Sequence, residues 1–150
     1  MYITDENDIY TYLHVINDIK PKSVIDIGMF LKRIGAISRQ ARNVSIDETI
    51  KLDALDVLKT PPVAVYETVY DAIYDENILQ EMPKYDLAMV LCLEQHMSAK
   101  TYEAIWKWTA RNVKYALTDD TKIWTKGFFS QIKDVRTVSV DEQCYSLLVF

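Results

Sequence analysis

Glycine is nearly missing from this chain: it supplies 3 of 150 residues, where average usage of about 7% would give roughly ten. No G-x-G-x-x-G loop follows any strand candidate, which weakens a dinucleotide-binding reading such as a reductase. Cysteine and histidine number two each and lie far apart, so no zinc-ligand spacing exists and no metal site is expected. Cys92 and Cys144 both sit in apolar runs and read as small buried hydrophobes, in keeping with a reducing, cytoplasmic setting. Apolar runs are short of the roughly 20 residues a membrane span requires. The opening Met1-Tyr2-Ile3-Thr4-Asp5-Glu6 lacks the basic and apolar regions of a signal peptide. Basic residues are outnumbered, 17 against 22 acids, for a net charge of −5. That balance argues against non-specific binding of nucleic acid or an anionic membrane. A local basic patch around Lys32, Arg33, Arg39 and Arg42 stays open.

Against these absences stands an ordinary globular composition, 49% hydrophobic and 26% charged. A chain of 150 residues is most simply one domain, 1–150, with a single core. Tyrosine is abundant, at 10. It suits pocket walls and interfaces, and half-buried helix faces equally.

Ile9, Tyr12, Leu13, Ile16 and Ile19 form a helical stripe, so a helix is expected over about 7–20, with Asp5 or Asn7 as cap and Pro21 as its stop. His14 lies beside the stripe and reads as an edge residue. Ser23–Ile27 is β-branched and continuous, the pattern of a strand covered on both faces. A helix over about Leu31 or Ile34 to Ala41 should follow, on Phe30, Ile34, Ile37 and Ala41. Residues 43–62 allow two parses: a strand Val44–Asp47 with a helix Glu48–Lys59, or a strand Ile50–Val57 carrying Asp53 and Asp56; the residues leave both open, and it is the family resemblance given below that favours the second. Residues 63–75 fit both periods, and the double proline before β-branched residues favours a strand ending near Asp71. Tyr85–Leu93 is the longest apolar run and the firmest buried strand. Ser98 can cap a helix Ala99–Asn112. Val113–Thr118 reads as a strand, residues 121–134 as a helix or aromatic loop, and Val135–Val140 with Cys144–Phe150 as a closing hairpin. Alternation of strand and helix calls for an α/β fold: an open, mainly parallel sheet with helices on both faces and an antiparallel C-terminal strand.

Ligands of such sheets bind outside the carboxyl ends of the strands. The residues to weigh there are Asp26, Gly28, one of Asp47, Asp53 or Asp56, Asp71, Glu94 and Asp119. Acids in a row suit a ligand rich in hydroxyl and amino donors, although any one of them could equally cap a helix.

SVIDIG (23–28) together with YDLAMVLCLEQHM (85–97) resembles the first and fourth motifs of class I S-adenosylmethionine-dependent methyltransferases. The closing CYSLLVF resembles that family's antiparallel last strand. The resemblance spans about residues 20–150. It implies that Asp26, Gly28 and Met29 border the methionine end of S-adenosylmethionine. It further implies that Asp56 (or Asp53, or Asp47) holds the ribose, that Asp71 faces the adenine amine, and that Glu94 and His96 lie beside the cofactor and substrate cleft as candidate catalytic residues. The chain departs from the family where further glycines should follow Gly28: Met29, Phe30, Leu31, Lys32, Arg33 and Ile34 intervene before Gly35. Bulk at Phe30 predicts weak or lost cofactor binding. Two functions follow, a methyltransferase of unknown acceptor or a catalytically inactive domain of the same fold serving as a binding or assembly module. The partner is then a small-molecule ligand or a protein. Trp106, Trp108 and Trp124 could furnish a homodimer surface, or equally a core.

Overall fold

The computed structural model describes residues 5–29, 40–41, 44–45, 49–57, 69–75, 83–91, 93–120, 123, 131–140 and 143–150. The chain opens with α1 (Asp5–Ile19), whose Tyr12, Val15 and Ile16 are buried while His14 is exposed. Asp5 and Asn7, the expected caps, both fall inside the bounds of this helix. Lys20 ends it at a left-handed φ of 48°, its N–H donating to the Ile16 carbonyl at 2.9 Å, and Pro21 blocks any continuation.

β1 (Ser23–Ile27) has the bounds its apolar run predicts. Next come β2 (Gln40–Ala41) and β3 (Val44–Ser45), a two-stranded antiparallel ribbon. Gln40 and Ala41 are therefore strand and not the end of the expected helix; the rest of that expected helix lies outside the described residues. Between the two parses of 43–62, the strand over 50–57 holds, as β4 (Lys51–Asp56). β5 (Ala72–Asp75) corrects the strand expected to end near Asp71, because it begins one residue after that acid. A run that satisfies both periods locates neither end of its strand. β6 (Tyr85–Val90) stops before the expected Leu93, where the chain turns into a 3₁₀ segment, Glu94–His96.

α2 (Ala99–Asn112) and β7 (Val113–Thr118) match their sequence patterns. Ser98 is in extended conformation, and its hydroxyl accepts the Thr101 N–H at 3.2 Å, satisfying one of the helix's orphan donors. β8 (Asp134–Val140) and β9 (Gln143–Val149) close the chain as an antiparallel pair. Cys144 on β9 is exposed, contrary to its expected burial, with its Sγ 3.6 Å from Ser139 Oγ. Cys92 lies outside the described residues.

Seven strands form one sheet in the order β5-β4-β1-β6-β7-β9-β8. β1, β4, β5, β6 and β7 pair in parallel. β9 runs against both β7 and β8, so it is the one reversed strand of the seven. α1 covers one face, packing Tyr12, Val15 and Ile16 with Val24, Leu52, Leu87 and Met89. α2 belongs to the other, where Tyr102, Ile105 and Trp106 join Ile25, Ile27, Leu55, Ala88 and Val90. Each such aliphatic side chain contributes about 1.5–3 kcal/mol by leaving water. Trp106 and Trp108 are core residues, 0% and 3% exposed, and offer no dimer surface; Trp124 lies outside the described residues.

Candidate functional site

From β1 the chain steps outward through β4 to β5, then returns to the other side of β1 and continues through β6 to β7. Strand order thus reverses between β1 and β6, and a crevice at their carboxyl ends follows from that reversal.

On the β1 side the crevice is bordered by Gly28 and Met29. Gly28 has φ 84° and its N–H donates to the Leu55 carbonyl at 2.9 Å, which ties the turn to the end of β4. Glycine can take this φ without penalty and leaves no Cβ at the strand end. Met29 also has positive φ, 54°, a conformation costing a residue with a Cβ roughly 1–2 kcal/mol. Its side chain is 4% exposed and packs in the α1-side core, so what it can offer a ligand at this turn is backbone. Phe30 and Leu31 lie outside the described residues.

Asp26 lies on β1, two residues before Gly28. It is fully buried, and the Tyr70 hydroxyl donates to its Oδ2 at 2.6 Å. Tyr70 was not foreseen as a site residue. Its only sequence signal was membership of a tyrosine-rich run.

Of the four acids weighed for the ribose and adenine, the three among the described residues, Asp53, Asp56 and Asp71, separate cleanly. Asp56 ends β4 and stands in register with Asp75, the last residue of β5. Neighbouring strands lie about 4.8 Å apart, so the two acids are adjacent at the carboxyl edge and on one face. Asp53 is elsewhere. It lies mid-strand, fully buried, and accepts the Tyr85 hydroxyl at 2.5 Å on Oδ2, with Lys51 Nζ 3.6 Å away. Asp71 lies at the opposite end of the sheet: its N–H donates to the Leu52 carbonyl at 2.7 Å and its Oδ2 accepts the Leu52 N–H at 2.9 Å. Asp71 thus starts the β4–β5 pairing at the amino edge and does not share an edge with Gly28. Asp75, not weighed from sequence, holds the strand-end position expected of Asp71. Asp47 lies outside the described residues.

Beyond β6, Glu94 and His96 are exposed on the 3₁₀ segment, whose first reverse bond runs from the His96 N–H to the Leu93 carbonyl at 3.0 Å. Ser98 caps α2 immediately after, so the segment is held between a strand and a capped helix. Past β7, the Asp120 N–H donates to Thr118 Oγ1 at 3.1 Å, and Asp120 Oδ2 accepts the Tyr102 hydroxyl at 3.2 Å. Burial raises the Tyr102 pKa above its ordinary value, and the charges of Asp120 and Glu94 add to the rise. Tyr102, Asp120 and Glu94 therefore share one electrostatic neighbourhood at the carboxyl edge. Among the described residues no group of three or more His, Cys, Asp or Glu is placed to hold a metal. No described helix is long and apolar enough to cross a membrane.

The sequence matches no protein-family model and no curated protein. Solved structures do match in shape. The methyltransferase domain of bacterial CtHen1-CN superposes with a TM-score of 0.66 at 12% identity, over 97% of this chain and 99% of that one. An O-methyltransferase family protein from Burkholderia thailandensis gives 0.58 at 12% identity, covering 96% of this chain and 55% of that one. The magnesium protoporphyrin IX methyltransferase ChlM from Synechocystis, a structure with bound S-adenosylmethionine, gives 0.50 at 16% identity, over 95% and 76%. The chain has the fold of class I S-adenosylmethionine-dependent methyltransferases, including the single reversed strand between β7 and β8.

Proposed function

We propose that the protein is an S-adenosylmethionine-dependent methyltransferase, with the cofactor seated across the β1–β6 crevice. The observation that carries this reading is the alignment, at one sheet edge, of the glycine turn after β1 with the Asp56–Asp75 pair. A strand end without a Cβ lets a ligand approach the backbone. Two adjacent carboxylates can accept the vicinal hydroxyls of a ribose and an exocyclic amine beside it. In this assignment Gly28 and Met29 flank the methionine moiety with their backbone, Asp26 shapes that turn from beneath, Asp56 holds the ribose, and Asp75 takes the adenine position first assigned to Asp71.

The cofactor, when bound, supplies an electrophilic methyl group on a sulfonium. What the chain must add is alignment of an acceptor with that methyl, plus removal of a proton where the acceptor carries one. Glu94 and His96 are assigned to the proton, being exposed at the crevice's β6 side. The acceptor is a small molecule or a protein group, met in the cytoplasm.

Binding of S-adenosylhomocysteine to Asp56→Ala and Asp75→Ala variants tests the assignment. Each should bind at least about tenfold more weakly than the parent, a loss of about 1.4 kcal/mol, with an unchanged melting temperature. Parental affinity in both would remove these acids from the site.

A further inference from the structure

At the amino edge of the sheet, remote from the crevice, lies a cavity of about 340 Å³ lined by Ile19, Lys20, Pro21, Lys22, Asp86, Lys114 and Tyr115. Five- and six-residue strands rising about 3.3 Å per residue separate the two edges by roughly 17–20 Å, so this pocket is no annex of the cofactor site. We propose that it binds a small molecule through a phosphate monoester, independently of the methyltransferase reading.

Three features point to that ligand. First, Asp86, the one acid among the described lining residues, is already committed. Asp86 Oδ2 accepts the Lys22 N–H at 2.8 Å, its Oδ1 lies 3.6 Å from Lys114 Nζ, and its own N–H donates to Ser23 Oγ at 3.0 Å. Asp86 therefore positions the strand ends and offsets one ammonium, and it leaves Lys20 and Lys22 in ion pairs with no described residue. Two lysines with no ion-pair partner among the described residues match the charge of a monoester, about −1.5 to −2 at neutral pH.

Second, Lys20 occupies its place at a cost. It sits just past the end of α1 at φ 48°, where glycine is the usual residue because a Cβ is disfavoured there. The carboxyl end of α1 also carries a partial negative charge that alone would repel an anion. Keeping a lysine here against backbone strain supplies the cation that overcomes this repulsion. Third, Lys84 and Lys133, both exposed, precede β6 and β8 at the same edge. They extend a positive rim in a chain whose net charge is −5.

Calorimetric titration of the full chain at low salt with ribose 5-phosphate and with inorganic pyrophosphate tests the site. Saturable binding that weakens as salt rises is expected. Lys20→Gly should reduce affinity about three- to tenfold while raising the melting temperature, because glycine relieves the strained φ. That opposite movement separates a binding role from a structural one. Adding Lys22→Ala should weaken binding further. The proposal is overturned if neither probe binds the folded protein at millimolar concentration, or if both variants bind like the parent. It is equally overturned if a single-stranded RNA binds through these lysines far more tightly than either probe, which would make the rim a nucleic-acid surface.

Discussion

Tyr70 and Asp26, 44 positions apart in the chain, meet in the core through a 2.6 Å hydrogen bond to the carboxylate beneath the glycine turn. The bond links the segment entering β5 to the strand that ends at the crevice. Both residues are buried, so solvent cannot substitute for the donor. Tyr70→Phe should cost about 1.5–3 kcal/mol, the range for a hydrogen bond to a charged group, measured by urea denaturation. A stability within about 0.5 kcal/mol of the parent, the scale of a neutral surface change, would show that the bond is dispensable.

Met29 sets two effects against each other. Replacing it with glycine relieves a left-handed φ, worth roughly 1 kcal/mol, but exposes the space of a buried methionine, worth about 1.5–3 kcal/mol. Burial is the larger quantity, so Met29→Gly should destabilise by about 1 kcal/mol. Gly28→Val has no such offset at φ 84°. It should lower stability by more than about 1 kcal/mol and abolish cofactor binding. A Gly28→Val protein that binds S-adenosylhomocysteine normally would contradict the placement of the turn.

Two tyrosines should report the core by titration. Burial and the Asp53 hydrogen bond raise the Tyr85 pKa, and burial with the Asp120 charge raises that of Tyr102. The native state therefore holds these protons more tightly than the unfolded chain does. Their contribution is full below the unfolded value of about 10 and is lost as pH climbs through the raised native values. Denaturation midpoints should fall above about pH 10, and Tyr85→Phe should lessen that fall. Phenolate absorbance in the folded protein should show Tyr85 and Tyr102 titrating above the ordinary value of about 10. Loss of neither signal in the Tyr85→Phe and Tyr102→Phe variants above that pH would contradict the burial of both hydroxyls.

Glu94→Gln and His96→Ala separate binding from chemistry. Both residues are exposed on the 3₁₀ segment and are assigned to the acceptor's proton. Each variant should keep parental affinity for S-adenosylhomocysteine. A tenfold loss in either would move that residue from the acceptor side to the cofactor.

Much of this fold was legible because β1, β6, β7 and α2 each show one period only. Ser23–Ile27 and Tyr85–Val90 are continuous apolar runs covered on both faces, and Ser98 announces α2 through its own hydrogen bond. β5 was misplaced because it is a four-residue edge strand of alternating half-burial, preceded by residues that repeat the same tyrosine and valine spacing. The error carried the adenine assignment to Asp71, an acid that begins the strand pairing, when Asp75 ends it. Asp53 and Asp56 could not be told apart by type. Three residues along a strand reverse the face, and only the partner at the end of Tyr85's side chain shows which acid is interior. That β9 enters between β7 and β8 was equally hidden, since a hairpin pairs the same way whichever strand lies outward.

Calorimetric titration of the folded protein with S-adenosylmethionine and S-adenosylhomocysteine tests the central claim most directly. Saturable binding is expected, weaker than micromolar strength (about −8 kcal/mol) because of the bulk at Phe30 after the turn. No heat at millimolar ligand, from protein shown to be folded, would contradict the methyltransferase reading and leave the fold without that ligand.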